Sequence, residues 1–490
     1  MKITKISAGE AHICFTFDRE VSGITIKAYS PAVREHIGLG SYDAKAQGNH
    51  ACIPRNAFGR DGLYLAYELY HNEEKLSGIT YVDEFNMMPE NDYPYPSTDT
   101  KKGLQIHPDR IDDAISLGVR HCAFNVCIGD LIRSRPEGCI VFRHDGCDYY
   151  FDSEAVASYD HSIKQMSDHG IIVTLILLCT RNWPLASPED MCGVLRHPDY
   201  INDRENGGGL LSGFNVITDE GIRCYAAIIA FLAHRYTDPS QEYGLAVGMI
   251  LSNEVNSHWI WNNSGHKNVE ELAREYTVAL RVACQASLQI YKNMRIYASL
   301  DHFWTEALNI EEKDKYTGSR YLLENIVRLA SSDGDFPWNV AFHPYPENLN
   351  YPDFWNDRTA TDDTNTCRIT FKNLHVLRDF LYREENLYRG DCRHIILSEQ
   401  GFSSHWTPES EILQACAYGR AYRVVMEIPE IDSFIYHAHG DNAGEGGDLN
   451  LGLWRRNRDT SGFDAPKPIY YVFKAIDHRD ETGRYHWERY

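Results

Sequence analysis

Two glutamates carry the clearest chemical signal in this chain of 490 residues. Glu254 closes the run "GLAVGMILSNE" and Glu399 closes "HIILSEQ". Each sits where an apolar stretch ends, a place where an unpaired, half-buried carboxylate is expensive to keep. If the two runs are strands of one barrel, both carboxyls rise on the same rim and face each other across its mouth. Facing carboxyls suit acetal cleavage. One donates a proton to the leaving oxygen, and the other stabilises or attacks the oxocarbenium-like carbon. A separation of about 5–5.5 Å favours the covalent, retaining route.

The elements that must position them are legible from Lys102 onward as alternating strands and helices. Eight short runs rich in Val, Ile and Leu are expected as strands: 103–106, 119–126, 170–179, 244–253, 294–300, 338–343, 394–399 and 431–437. Most lack clean alternation, as parallel strands buried on both faces should. Helix starts are marked by Thr218 followed by two acids, by Asn268 with Glu271 at capping-box spacing, and by Thr407 with Pro408 at the first helical position. Eight such units predict a (β/α)8 TIM barrel. A doubly wound sheet would favour a glycine-rich phosphate turn after an early strand, and none is present. The segments after strands are long (180–217, 301–319, 344–367, 438–465), and several after helices are short. The extra residues thus lie on the rim that carries active sites in barrels. Residues 1–90 differ: period-two alternation in "AHICFTFD" and "VSGITIKAYS", with "GLYLAYELY" and "GITYVDEF" flanking a hairpin-type connection, predicts a small antiparallel β domain, sandwich-like. Residues 91–102 read as a linker, and 103–490 as the barrel.

The "SNE" ending the fourth strand and the "SEQG" ending the seventh resemble the clan A glycoside hydrolases, a (β/α)8 superfamily, over roughly residues 100–477. The resemblance implies Glu254 as acid/base, Glu399 as nucleophile and Asn253 as a hydrogen-bond partner of the sugar 2-hydroxyl. It also implies a Tyr or His after strand six near the nucleophile, which "AFHPYP" supplies as His343 and Tyr345. Two departures stand out. Where many members end strand two in Arg, this chain has Asn125. Where many end strand eight in Trp, it has "YHAHGDN", with His437 and His439. The expectation is a retaining hydrolase of β-type glycosidic bonds in oligo- or polysaccharides, with no cofactor.

Other rim residues are candidate sugar contacts. Trp183, Trp259 and Trp406 offer planes for the apolar faces of sugar rings. Arg181 and Asn182 follow strand three. His437 and His439 offer hydrogen bonds to hydroxyls. With Asp441, the two histidines are also the basis of one rival reading, a metal-dependent hydrolase; the other rival is a non-catalytic glycan-binding barrel. The acid-rich loop 441–448 lacks EF-hand spacing. The net charge of −22 argues against nucleic acid or an anionic membrane as partner, and no run reaches membrane-spanning length. The thirteen cysteines lack paired Cys-x-x-Cys spacing and read as buried free thiols. With no signal-peptide core at the start, a cytoplasmic location is expected; a secreted protein whose signal had been removed would read the same way.

Overall fold

The computed structural model describes residues 2–180, 193–444, 449–457, 460 and 462–479. Eight parallel strands close into a barrel in chain order: Lys102–Leu104, His121–Cys127, Ile172–Leu178, Ala246–Leu251, Arg295–Asp301, Trp338–His343, Ile395–Leu397 and Ile431–Tyr436. Closure is made by the first strand against the eighth, with Gly103 opposite Ile435. Gly103 is required there, because a Cβ would stand 2.7 Å from the Ile435 side chain and 2.9 Å from the His121 carbonyl. Each expected strand is present. Their continuous hydrophobicity reflects burial on both sides, outward against the helices and inward into a plug of Ala123, Ile176, Ile250, Ala341, Ile396 and Ile435 packed around Tyr297.

The expected helix starts are also found. Asp219–Tyr236 begins where the Thr218 hydroxyl accepts from the Gly221 amide. Val269–Leu288 opens with the full Asn268/Glu271 capping box. Pro408–Met426 is capped by Thr407, with Ser410 as the reciprocal partner. These caps set where each helix begins and therefore how long the preceding rim loop is.

The N-terminal region forms two sheets. One is built on Ile3–Ala8, His12–Phe17 and His50–Pro54, the other on Ile24–Tyr29, Gly38–Ala44 and Ala66–His71. Their inner faces meet with Phe15 edge-on to Tyr67, ring centroids 5.3 Å apart. The region docks on the barrel through backbone bonds from Val33 to Val216 and from Arg34 to Ile217.

Three details differ from expectation. The hairpin after Ala66–His71 is tighter than the sequence implied. Asn72 and Glu73 both adopt positive φ and return the chain at once to Glu74–Lys75, the conformation whose twist matches paired strands. "GITYVDEF" keeps one antiparallel bridge to Ala66–His71, Thr80 opposite Tyr67, and its Glu84–Phe85 then runs parallel to Ile3–Ala8 in the other sheet. Second, the cysteines are not all free thiols. Cys14 and Cys52 face each other on neighbouring strands, on the side turned from the core, and form a disulfide. Third, an unforeseen β hairpin, Cys139–His144 with Cys147–Asp152, follows the second barrel strand.

Just before that hairpin, Asp130 is buried in the short helix Ile128–Leu131, and its Oδ2 has no partner among the described residues. Burial pushes its carboxyl up to about 7, against the pull of Arg133. From its ordinary value of 3.8 up to that point, the folded state holds a proton that the unfolded state has released, so this residue costs stability as pH rises through the window. Asp130→Asn is expected to raise the thermal midpoint more at about pH 8 than at about pH 5. Equal shifts in calorimetry at the two pH values would refute this.

Candidate active site

Alternation along the barrel strands puts a polar residue two places beyond every member of the apolar plug except Ile176, which is followed by Leu178. Gln105, Ser299, His343, Ser398 and His437 occupy this next layer, and all but Ser299 bond to one another around the mouth. Gln105 donates to the Ser398 carbonyl at 3.2 Å and lies 2.5 Å from His437 Nδ1. His343 Nε2 lies 3.0 Å from Ser398 Oγ. The glutamates stand on this layer.

Glu254 follows the fourth strand in a turn that no propensity rule favours. Its φ and ψ are +37° and +55°, and Ser252 also has positive φ. For residues carrying a Cβ, each such conformation costs about 1–2 kcal/mol, and strain of this kind gathers at functional sites. The turn is held by the Glu254 amide donating to Ser299 Oγ at 3.0 Å and by Ser252 Oγ donating to the Trp261 carbonyl at 3.1 Å. Half-buried Asn253 lies between the two left-handed residues, and no described neighbour engages its amide.

The Glu254 carboxyl meets His343, with Nδ1 at 2.9 Å from Oε1. Tyr345 donates its hydroxyl to Glu399 Oε1 at 3.2 Å. One oxygen of Glu254, one oxygen of Glu399 and one ring nitrogen of His343 all lie within 4.8 Å of each other. Residues 145 positions apart in sequence thus converge at the open end of the barrel. Burial alone would push the His343 ring down. The bond to Glu254 and the charges of Glu399, Glu254 and Asp301 outweigh burial and hold it above its ordinary value. Asp301, at the end of the fifth strand, is pushed up to about 7 by burial and then by the Glu254 charge. The mouth therefore holds two carboxyls and one imidazole, with the third carboxyl, Asp301, buried beside them.

Glu254, His343 and Glu399 are also, among the described residues, the set of donors close enough to share a cation. Both His343 ring nitrogens are already engaged, by Glu254 and Ser398. The strand-eight histidines do not form the metal set that their spacing allowed. His437 binds Gln105, His439 binds Asp113 at 3.0 Å, and Asp441 binds Lys467 at 2.7 Å.

Several expected sugar contacts are placed elsewhere. His439 is 1% exposed, turned to the side of the barrel where Asp113 also accepts from Trp454 and Tyr470. Trp259 is 4% exposed. Its indole N–H donates to Asp203, and its ring lies against His266 and under the Lys315 ammonium. Both are corrected to packing roles, because neither has a surface left for a ligand. His343 is buried as well and faces the carboxyls rather than open space. Trp406 and His437 remain half-buried in the loops after strands seven and eight. The Arg456 guanidinium stands 5.8 Å over the Trp406 ring. Arg181, Asn182 and Trp183 lie outside the described residues.

The loops after strands seven and eight are tied together beneath the rim. Lys467 Nζ donates to Asp441 Oδ1 at 2.7 Å, to the Asn450 carbonyl at 3.1 Å and to Ser404 Oγ at 3.3 Å. Both charged side chains are 1% exposed.

Comparison with known proteins gives one family match, to a model described as "Family of unknown function (DUF5722)", over residues 94–487. No curated protein sequence matches. Among solved structures, the chain is similar to a family 39 glycoside hydrolase from Bacteroides cellulosilyticus WH2, with 14% identity, TM-score 0.47, and coverage of 96% of this chain and 81% of that one. A β-glucosidase from Pyrococcus furiosus gives 15%, 0.49, 76% and 83% for the same measures. A β-glucosidase from Thermotoga maritima gives 14%, 0.44, 76% and 86%.

Proposed function

The chain belongs to the DUF5722 family of unknown function, and we propose that it is a retaining β-glycoside hydrolase. The observation that carries this reading is the approach of Glu254 and Glu399 to within 4.8 Å at the barrel mouth. That spacing suits direct attack on the anomeric carbon. An inverting pair stands about 6.5–9.5 Å apart, to leave room for a water.

In the first step Glu399 attacks the anomeric carbon while Glu254 gives its proton to the departing oxygen. The glycosidic C–O bond breaks and an ester to Glu399 forms. In the second step Glu254 takes a proton from water, the hydroxide adds to the anomeric carbon, and Glu399 leaves. Tyr345 orients the nucleophile through its hydroxyl, and His343 does the same for Glu254. Asn253, with its unengaged amide beside Glu254, takes the sugar 2-hydroxyl. Trp406 and His437 supply contacts on the far side of the mouth. The substrate class is an oligo- or polysaccharide with β-type glycosidic bonds, and the reaction needs no cofactor.

The test is a screen of aryl β-glycosides and of plant, algal and host oligosaccharides, with the anomer of the first-formed product recorded by NMR. Retention in the products supports the reading, and inversion sinks it. Tyr345→Phe is expected to lower kcat by about tenfold or more, the scale of one hydrogen bond to a charged group, with KM little changed. Unaltered kcat would remove Tyr345 from the site.

A further inference from the structure

The left-handed turn at Glu254 needs something to hold it, and most of the hold comes from the fifth barrel strand. Ser299 takes the Glu254 amide. Two residues further on, Asp301 grips the second and third residues after Glu254 from both ends of its carboxyl. Asn256 Nδ2 donates to Oδ1 and Ser257 Oγ donates to Oδ2, both at 2.5 Å, and the Phe303 amide donates to Oδ1 at 2.8 Å. The grip is reciprocal, because the Asp301 amide donates to Asn256 Oδ1 at 2.9 Å. The turn closes on itself through the Ser257 amide and the Glu254 carbonyl, 2.8 Å apart. Asn256 and Ser257 are fully buried and Asp301 almost so. Asp301 therefore touches neither the open mouth nor a substrate. It fixes the backbone from which the Glu254 side chain projects.

We propose that Asp301 is a positioning residue for the proton donor: by clamping Asn256 and Ser257 it holds Glu254 in the left-handed conformation that aims its carboxyl at the leaving oxygen. This rests on the glycosidase reading above. It goes beyond that reading by assigning a third carboxyl, on a strand that supplies neither of the reacting groups, to the geometry of only one of the two chemical roles.

The consequence is selective. A misplaced proton donor harms departure of an alcohol that needs protonation. It scarcely affects departure of a group that leaves well as an anion. A merely structural role for Asp301 would slow both alike. The experiment compares kcat/KM for the 2,4-dinitrophenyl and the methyl β-glycoside of whichever sugar the wild type turns over best, because kcat/KM reports the first step. Asp301→Ala is expected to lose about 100-fold or more on the methyl glycoside, the low end of what proton transfer contributes, and only a few-fold on the dinitrophenyl glycoside. Asp301→Asn should restore most of the methyl glycoside activity. Its Oδ1 can still accept from Asn256 and Phe303, and its Nδ2 can donate to a Ser257 hydroxyl that turns to accept.

Asn256→Ala breaks the same clamp from its other end and should reproduce the selective loss, which keeps the test decisive if Asp301→Ala does not fold. Equal losses on the two glycosides, or no loss on either, would overturn the positioning role in an active enzyme. A wild type inert on every aryl glycoside, with Glu399 unlabelled by a 2-deoxy-2-fluoro glycoside, would instead overturn the glycosidase reading and the positioning role with it.

Discussion

Glu399→Ala is expected to lower kcat by about 10⁴-fold or more, the scale on which loss of a covalent nucleophile is felt, with the fold intact. The side chain is half-buried on the rim and its bond to a described neighbour is the one from Tyr345. Truncation therefore opens the mouth without unpairing the barrel core. Two further results are expected with it. A 2-deoxy-2-fluoro glycoside should label wild-type Glu399 covalently, with peptide mapping placing the adduct in "HIILSEQGF". Added azide should restore turnover of Glu399→Ala on an activated β-glycoside and give the α-glycosyl azide, because azide then attacks from the face that the carboxylate has vacated. A label on any other residue would remove Glu399 from the role.

Glu254→Ala is the second large effect, and its size should depend on the leaving group. For poor leaving groups the loss should reach about 10²–10⁴-fold, the usual contribution of a positioned proton donor. For dinitrophenyl glycosides the first step should proceed, and turnover should stall at the ester because the base for the second step is gone. Azide should relieve that stall and give the β-glycosyl azide. The opposite azide anomers from the two alanine variants would assign both roles. The same anomer from both would refute the assignment. Removing Glu254 also leaves His343 without its 2.9 Å partner. The effect on folding is therefore read separately, from the melting temperature.

Much of this arrangement is written locally in the chain. The barrel strands are legible because burial on both faces leaves unbroken Val, Ile and Leu, and the helices because Thr218, Asn268 and Thr407 cap them as their types predict. Glu254 and Glu399 could be picked out as acids at the ends of such strands. Asp301 obeys the same rule at the end of "RIYASLD", yet reading that strand as stopping at Leu300 hides it in the loop. What distinguishes it is a partner 45 residues earlier, and pairing at that range is not a local property. The aromatics fail for a related reason. Spacing places Trp259 just past a strand, but whether its ring faces the mouth or the loops beneath depends on His266 in the same loop and on Asp203 and Lys315 from two other loops. His439 similarly turns away because Asp113, far back in the sequence, offers a carboxylate on the other side. The disulfide between Cys14 and Cys52 needs a strand register that single-sequence periodicity does not fix.

The ion pair of Lys467 with Asp441 bears on how specificity in such a scaffold could be redesigned. A chimaera that replaced the stretch around Asp441 and kept Lys467 would strand a cation in the protein interior, and breaking a buried pair on one side costs about 3–5 kcal/mol. The transplantable unit is thus discontinuous: the stretches around Ser404, Asp441 and Asn450 have to travel with Lys467. Natural diversification of this part of the molecule faces the same requirement, so changes in its two loops should arise in concert.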